Sequence, residues 1–476
     1  MLFNANYGLR MIELNRPKKL HSLNGSMCRK IVPRLQEWAK SDMANVIVLK
    51  GSGPKAFCAG GDVGKLAEWN QEGEEGQKRS SDFFGLEYKL DHLIATYQKP
   101  LIAFMDGITM GGGVGLSVHA PFRIATERTL FAMPETTIGF FPDVGGSFFL
   151  PRLNGAIGTY LALTSERLKG ANVFYAGIAS HYIHSSALPS LESRLAELRF
   201  KDYETLKERL ELIDSTIEEF NTGLPHDEPI LLAGELRKAI DRCFSKETVP
   251  QILEALEAEK EGSMKEWAEA TIDTLHKRSP TSVYVALKQM QLGATWTIDE
   301  TFIRENAIAQ KFMAHNDFVE GVTSILGANK GKKPAFNPAT LEDIKASDNI
   351  AEQFFRVDGE KLKLLNNGVN SSYFQYPHAK YSLPNEREVE SYVKRTPTTK
   401  RRIIQHFVEA RRGKVGVHEV ISEILDRKTE KKGDSIVWLD EIEVEVDEDE
   451  VEASDAGVQE VAKEASQEVP EGEEKK

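Results

Sequence analysis

The residues best suited to chemistry lie between Met110 and Leu153. Two carboxylates, Glu135 and Asp143, stand eight residues apart in sequence that is otherwise largely apolar and rich in glycine. Acids buried close together push each other's pKa values apart, which suits acid–base or nucleophilic work. Ahead of them runs Gly111-Gly112-Gly113. Glycines after a strand let backbone N–H groups approach a ligand with no Cβ in the way. At a helix N-terminus those groups are unpaired and point outward. Two such donors from separate loops can hold an oxygen that gains negative charge, and Phe57-Cys58-Ala59-Gly60-Gly61-Asp62 is the natural source of the second. Each element alone has a plainer reading. A glycine run is usually a turn. A carboxylate beside Pro134 is usually a cap or turn residue. Glu87, on a helix predicted over 83–94, would ordinarily be a solvated surface charge.

Placing these groups requires strands that end at the glycines. Val46-Ile47-Val48-Leu49 and Leu101-Ile102-Ala103-Phe104 are short apolar runs of strand formers, as buried strands should be. Between them Ile31 to Ala39 and Phe83 to Ile94 have helical spacing. This order predicts a mostly parallel, helix-covered sheet, an α/β core over residues 1–170. Residues 171–335 read as almost wholly helical, with Leu206 to Phe220 and Thr248 to Leu275 as the clearest periods. Pro334 and Pro338 mark a boundary, residues 340–440 form a mixed third region, and residues 441–476 form an acidic tail.

A length of 476 residues suits about two to three domains. No apolar run reaches the roughly 18 residues of a membrane span. Cys28, Cys58 and Cys243 are odd in number and far apart, which argues against a disulfide framework or a zinc site. The net charge of −13 belongs to the end of the chain, where Asp440 to Lys476 holds 16 acidic residues against 3 Lys. The rest is neutral and has no global field to draw it toward nucleic acid. The acidic segment is poor in aromatics and repetitive, which predicts disorder. No Arg-rich, Ser-rich, acid-poor transit segment opens the sequence, because strand-like alternation starts at Leu9. The final Glu-Glu-Lys-Lys is not a peroxisomal address.

The two glycine loops in this order, followed by Pro134-Glu135 and Pro142-Asp143-Val144-Gly145-Gly146, resemble the crotonase superfamily. So does the opening Asn15-Arg16-Pro17-Lys18-Lys19-Leu20-His21-Ser22-Leu23-Asn24, and the resemblance runs over roughly residues 3–330. It implies a spiral of strand-strand-helix units. It also implies an oxyanion hole for a CoA thioester carbonyl, built from the N–H groups of Gly61 and Gly112. The superfamily hosts several reactions, so the side chains must choose among them. Its hydratases carry a Glu two residues after the glycine run and a second after the proline. Here Gly115 stands at the first place, only Glu135 is kept, and Asp143 stands where the hydratase pattern has Gly. A hydratase or isomerase is therefore disfavoured. The full pattern is similar to that of 3-hydroxyisobutyryl-CoA hydrolases, with further matches at Leu161 to Gly170, Ser279 to Ser282 and Asp317 to Val322.

That resemblance implies thioester hydrolysis in mitochondrial valine breakdown, although no transit segment is visible. Its functional residues fall on Glu87, Gly112, Glu135 and Asp143. Glu135 attacks the carbonyl or activates a water that does; both routes stay open. Asp143 contacts the substrate's 3-hydroxyl or positions the water and leaving thiolate, and Glu87 binds the acyl part. No metal or redox cofactor is implied, and CoA arrives as part of the substrate. Lys394 to Lys414 holds eight Lys/Arg against one Glu, interleaved with Ile403, Ile404, Phe407 and Val408. The favoured reading is a surface helix docked on the core. The other is a contact with RNA or a partner, since phosphate binding draws on clustered Lys/Arg. Some mitochondrial small ribosomal subunits contain a protein resembling this hydrolase, so a structural ribosomal role on the same fold is the second hypothesis.

Overall fold

The computed structural model describes residues 1–439 apart from Ala328, so the acidic tail lies outside the described residues. The chain opens with β1 (Leu2–Asn6) and β2 (Leu9–Leu14). It then repeats a pair of strands followed by helix: β3 (Val46–Gly51) with β4 (Ala56–Cys58), β5 (Leu101–Met105) with β6 (Ile108–Met110), and β7 (Phe122–Ala125) with β8 (Leu130–Ala132). The first strand of each pair joins a six-stranded sheet and the second a four-stranded one. β9 (Leu168–Lys169) and β10 (His181–Tyr182) complete the orders β4-β6-β8-β9 and β1-β2-β3-β5-β7-β10. Within these two sheets, the β1–β2 and β8–β9 pairings are antiparallel and the others parallel.

The unbroken apolar runs have a simple cause. Ile47 and Leu49 enter the core that holds Leu35 and Trp38. Val46 and Val48 face a second cluster containing Leu191, Ile213 and Ile217. Alternate residues of one strand thus serve two buried faces. The sheet also runs past residue 170, since β10 pairs in parallel with β7 inside the segment read as helical. A strand of two residues carries no alternation to read. Thr248 to Leu275 is two helices, Val249–Glu259 and Lys265–His276. The helix bearing Glu87 spans Glu74–Ala95 and starts well before Phe83, where the spacing predicts it to begin.

The region after residue 340 packs into the same core. It contains the helices Glu386–Arg395, Lys400–Ala410 and Val417–Lys428 and the hairpin β11 (Thr429–Lys432) and β12 (Ser435–Trp438). On Lys400–Ala410, Ile403 and Phe407 are buried and Ile404 and Val408 half-buried, while Arg401 and Arg402 are exposed. This is the docked surface helix. Buried ions fasten the region further. Glu386 pairs with Arg237 at 3.0 Å and with Arg427, and Arg237 reaches Asp241 at 3.0 Å. Removing one partner of a buried ion network leaves the others uncompensated. Glu386→Ala should therefore cost roughly 3–5 kcal/mol of stability. Calorimetry should give one unfolding transition for core and extension together, and a separate low-temperature transition would contradict this docking.

Candidate active site

Gly111 has φ 45°, a left-handed turn that glycine tolerates, and it carries the chain from β6 straight into the helix Gly112–Val118. The loop after β4 comes up beside it. The amide nitrogen of Gly61 lies 3.3 Å from where a Cβ of Gly112 would stand. Neither the Gly61 nor the Gly112 N–H finds an acceptor among the described residues. Two free donors from two loops therefore sit side by side, the arrangement that stabilises a developing oxyanion.

Glu87, Glu135 and Asp143 surround this point, at 1%, 4% and 4% exposure. The glycines make room for them. A Cβ at Gly112 would collide with Oε1 of Glu87, and one at Gly111 would lie 2.9 Å from Oε1 of Glu135. Glu87 Oε1 and Glu135 Oε2 are buried without a hydrogen-bond partner. Asp143 accepts a hydrogen bond from the Tyr88 hydroxyl at 2.7 Å. Burial pushes the Asp143 carboxyl up to about 7, against the pull of Tyr88. Burial and then the Asp143 charge push Glu87 and Glu135 well above the usual carboxylate range. At about 7, the Asp143 carboxyl can take up or release a proton near neutral pH.

The turn that presents Asp143 is strained. Val144 adopts φ 53°, an unusual conformation for a β-branched residue. Glu305, from the helix Ile298–Ala314, holds it in place. It accepts from the amides of Gly145 at 2.7 Å and Ser147 at 2.9 Å and from the Ser147 hydroxyl at 2.7 Å. The His119 Nε2–H donates to the Val144 carbonyl at 2.8 Å. Gln289 donates to the Pro142 carbonyl and to the Ser147 hydroxyl.

The structure thus brings together Gly61, Gly112, Glu87, Glu135 and Asp143. Sequence reasoning missed Tyr88, Glu305 and His119. A signal for Glu305 existed, because it falls in register with the buried Thr301, Phe302, Ile308 and Phe312, where a charge is out of place. Among the described residues, one trio has metal-ligand spacing, His181, Asp214 and Glu218. Lys414 already places its ammonium against Glu218 and 3.8 Å from Asp214. A cleft of about 1140 Å³ opens between core and extension, lined in part by Arg387, Arg411, Lys428 and Trp438, and none of the three acids lines it.

The family described as enoyl-CoA hydratase/isomerase matches residues 9–355. The chain belongs to this family. Its fold is the crotonase fold. A carnitinyl-CoA dehydratase from Mycobacterium thermoresistibile superposes with a TM-score of 0.66 at 30% identity, over 77% of this chain and 99% of that one. The Danio rerio protein named 3-hydroxyisobutyryl-CoA hydrolase, mitochondrial, is 44% identical over 74% of this chain and 89% of its own length. The Neurospora crassa protein named small ribosomal subunit protein mS47 is 58% identical over 90% of this chain and 85% of its own length. Position 115 of this chain is glycine, and the carboxyl of Asp91 packs against it.

The buried acids make stability depend on pH with a defined sign. Burial pushes Glu305 up to about 8 and Asp143 up to about 7. Folded values above the unfolded ones favour the fold below the unfolded pKa, and that advantage is lost as pH rises through the folded values. The melting temperature should fall between about pH 5 and pH 8, and Glu305→Gln should flatten that fall. A melting temperature level over this range would contradict neutral buried acids.

Proposed function

We propose that the chain hydrolyses the thioester of 3-hydroxyisobutyryl-CoA to 3-hydroxyisobutyrate and CoA. The observation that carries this reading is the unpartnered Glu135 carboxyl beside two free amide donors. The thioester oxygen sits between the N–H groups of Gly61 and Gly112. Along one route Glu135 attacks the carbonyl carbon, the C–S bond breaks, and the CoA thiolate takes a proton from the acid cluster. Water then opens the mixed anhydride, releasing the acid product and restoring both Glu135 and the proton. Along the other, Glu135 takes the proton of an attacking water and the proton passes to the thiolate. Asp143, held by Tyr88, meets the 3-hydroxyl or the water, and Glu87 faces the acyl part. Addition of water across a double bond is disfavoured, because the Cβ of a Glu at 115 would stand 2.6 Å from the Asp91 carboxyl. Neither metal nor redox cofactor has a part in these steps. The mitochondrial names of the relatives favour that compartment.

Purified protein should release free thiol from 3-hydroxyisobutyryl-CoA, and Glu135→Gln should lower kcat by about 10²–10⁴-fold. No turnover by well-folded wild type would overturn the reading.

One observation favours a second role, as a protein of the mitochondrial small ribosomal subunit. The hydrolase-named relatives align over 338 to 365 residues, whereas the ribosomal-named one aligns over 436. The longer match takes in the C-terminal extension with its exposed Arg387, Arg395, Arg401, Arg402 and Arg412. Clustered Arg fits a phosphate backbone. The two roles are compatible in one chain. Co-sedimentation with small subunits in mitochondrial extracts at low salt is expected, and recovery in the light fractions alone would end this reading.

A further inference from the structure

The helix Glu74–Ala95 carries a second acid on the face that bears Glu87. Asp91 follows one turn later. It is wholly buried, and neither of its carboxyl oxygens has a partner. The facing helix Gly112–Val118 answers with two glycines at the same pitch. Glu87 stands against Gly112, and Asp91 stands against Gly115. A Cβ at Gly115 would lie 2.6 Å from Oδ2 of Asp91 and 2.7 Å from Cβ of Val144. The Asp91 carboxyl therefore fills the space that a side chain at position 115 would take, directly behind the strained turn that presents Asp143.

A buried, unpartnered carboxyl costs several kcal/mol or keeps its proton. A leucine would fill the same space without that cost, so filling space does not explain an acid here. The surroundings leave it only one stable form. The charges acting on Asp91 are those of Glu87, Asp143 and Glu305, all acidic. Cys28 and Cys58, the titratable groups of the neighbouring helix and strand, are buried thiols pushed upward in turn. The helix opposite contributes no titratable side chain over Gly112–Val118. With no cation in reach, an anionic Glu87 or Asp143 is tolerable only if a neighbour stays neutral.

The geometry points to Asp91 as the positioning residue that holds the proton of the acid cluster, leaving Glu87 and Asp143 free to carry charge toward the substrate. It touches no substrate and acts through those two residues. The carboxyl beside position 115 is supplied from the adjacent helix. Gly115 is glycine because Asp91 occupies its place. This assignment rests on the thioester-hydrolase reading for its kinetic consequence, and not for the proton itself.

Two measurements on Asp91→Asn test it. Infrared difference spectra across a pH titration should show a neutral buried carboxyl in wild type that is missing from the variant. The kcat profile should lose about tenfold and shift by about one pH unit, with KM little changed. The double variant Asp91→Gly with Gly115→Asp returns a carboxyl to the same space from the other helix and should recover most of kcat. The other buried acids keep their own bands, so a set of neutral-carboxyl bands identical in wild type and Asp91→Asn would overturn the assignment. So would an unchanged kcat profile in an active enzyme. If wild type has the band but no turnover, the hydrolase reading falls and the proton-holding assignment stands.

Discussion

The carboxyl groups of Glu87, Asp91, Glu135, Asp143 and Glu305 are all buried, and no cation is among the charges that act on them. Water would solvate such groups cheaply, and the interior does not. The fold answers this constraint in separate ways. Glu305 is satisfied by backbone amides and a serine hydroxyl. Asp143 is held by a tyrosine hydroxyl. Glu87, Asp91 and Glu135 keep unpartnered oxygens. Within the last group, Glu87 and Glu135 stand against Gly112 and Gly111, beside the free amides, while Asp91 lies behind them against Gly115 and, in the proposed assignment, keeps its proton.

Glycine is the counterpart of those acids. At 111, 112 and 115 the missing Cβ atoms create the volume that Glu135, Glu87 and Asp91 fill. The same run places free N–H groups at the start of a helix, where the backbone partial charge is positive. Among the described residues no cation acts on the site's acids, and neutral donors, amides and hydroxyls, supply its positive partial charge. The amides of Gly61 and Gly112 are left free side by side, while those of Gly145 and Ser147 serve Glu305. A lysine there would suppress the raised pKa values on which the proposed chemistry depends.

Much of this was legible in the sequence, for identifiable reasons. The strand pairs ending in glycine could be read because buried strands are apolar on both faces, as Val46 to Leu49 are. Gly112, Glu135 and Asp143 lie in one contiguous stretch, so their proximity needed no tertiary knowledge. Glu87 was weighed as a solvated charge on spacing alone, because its burial depends on a helix far off in sequence. Asp91, Tyr88 and Glu305 were not found for the same reason. Each is an ordinary helix residue until Gly115 or the Asp143 turn is brought against it. Strands as short as Leu168–Lys169 and His181–Tyr182 have no period to detect, so the sheet's far edge stayed hidden. Recognising a superfamily from the glycine loops supplied roles that spacing did not.

The extension is joined to the elements that carry the acids. The His92 Nε2–H, one residue past Asp91, donates to the Ser371 carbonyl at 2.8 Å, and Asn366 donates to the Thr96 hydroxyl at 3.1 Å. Arg123, just beyond the helix Gly112–Val118, spends its donors on Ala120, Ile178, Tyr376 and Ser382. The cations nearest this junction are thus consumed in holding the extension down and do not reach the acids. Arg401 and Arg402 lie on the outer surface of the same extension. A polyanionic partner would meet those outward groups, while the extension is tied to the helix that bears Glu87 and to the residue that ends it by neutral hydrogen bonds, which salt screens weakly. The two proposed roles, binding outside and chemistry inside, would therefore draw on different charges, which is the physical condition for both to coexist in one chain.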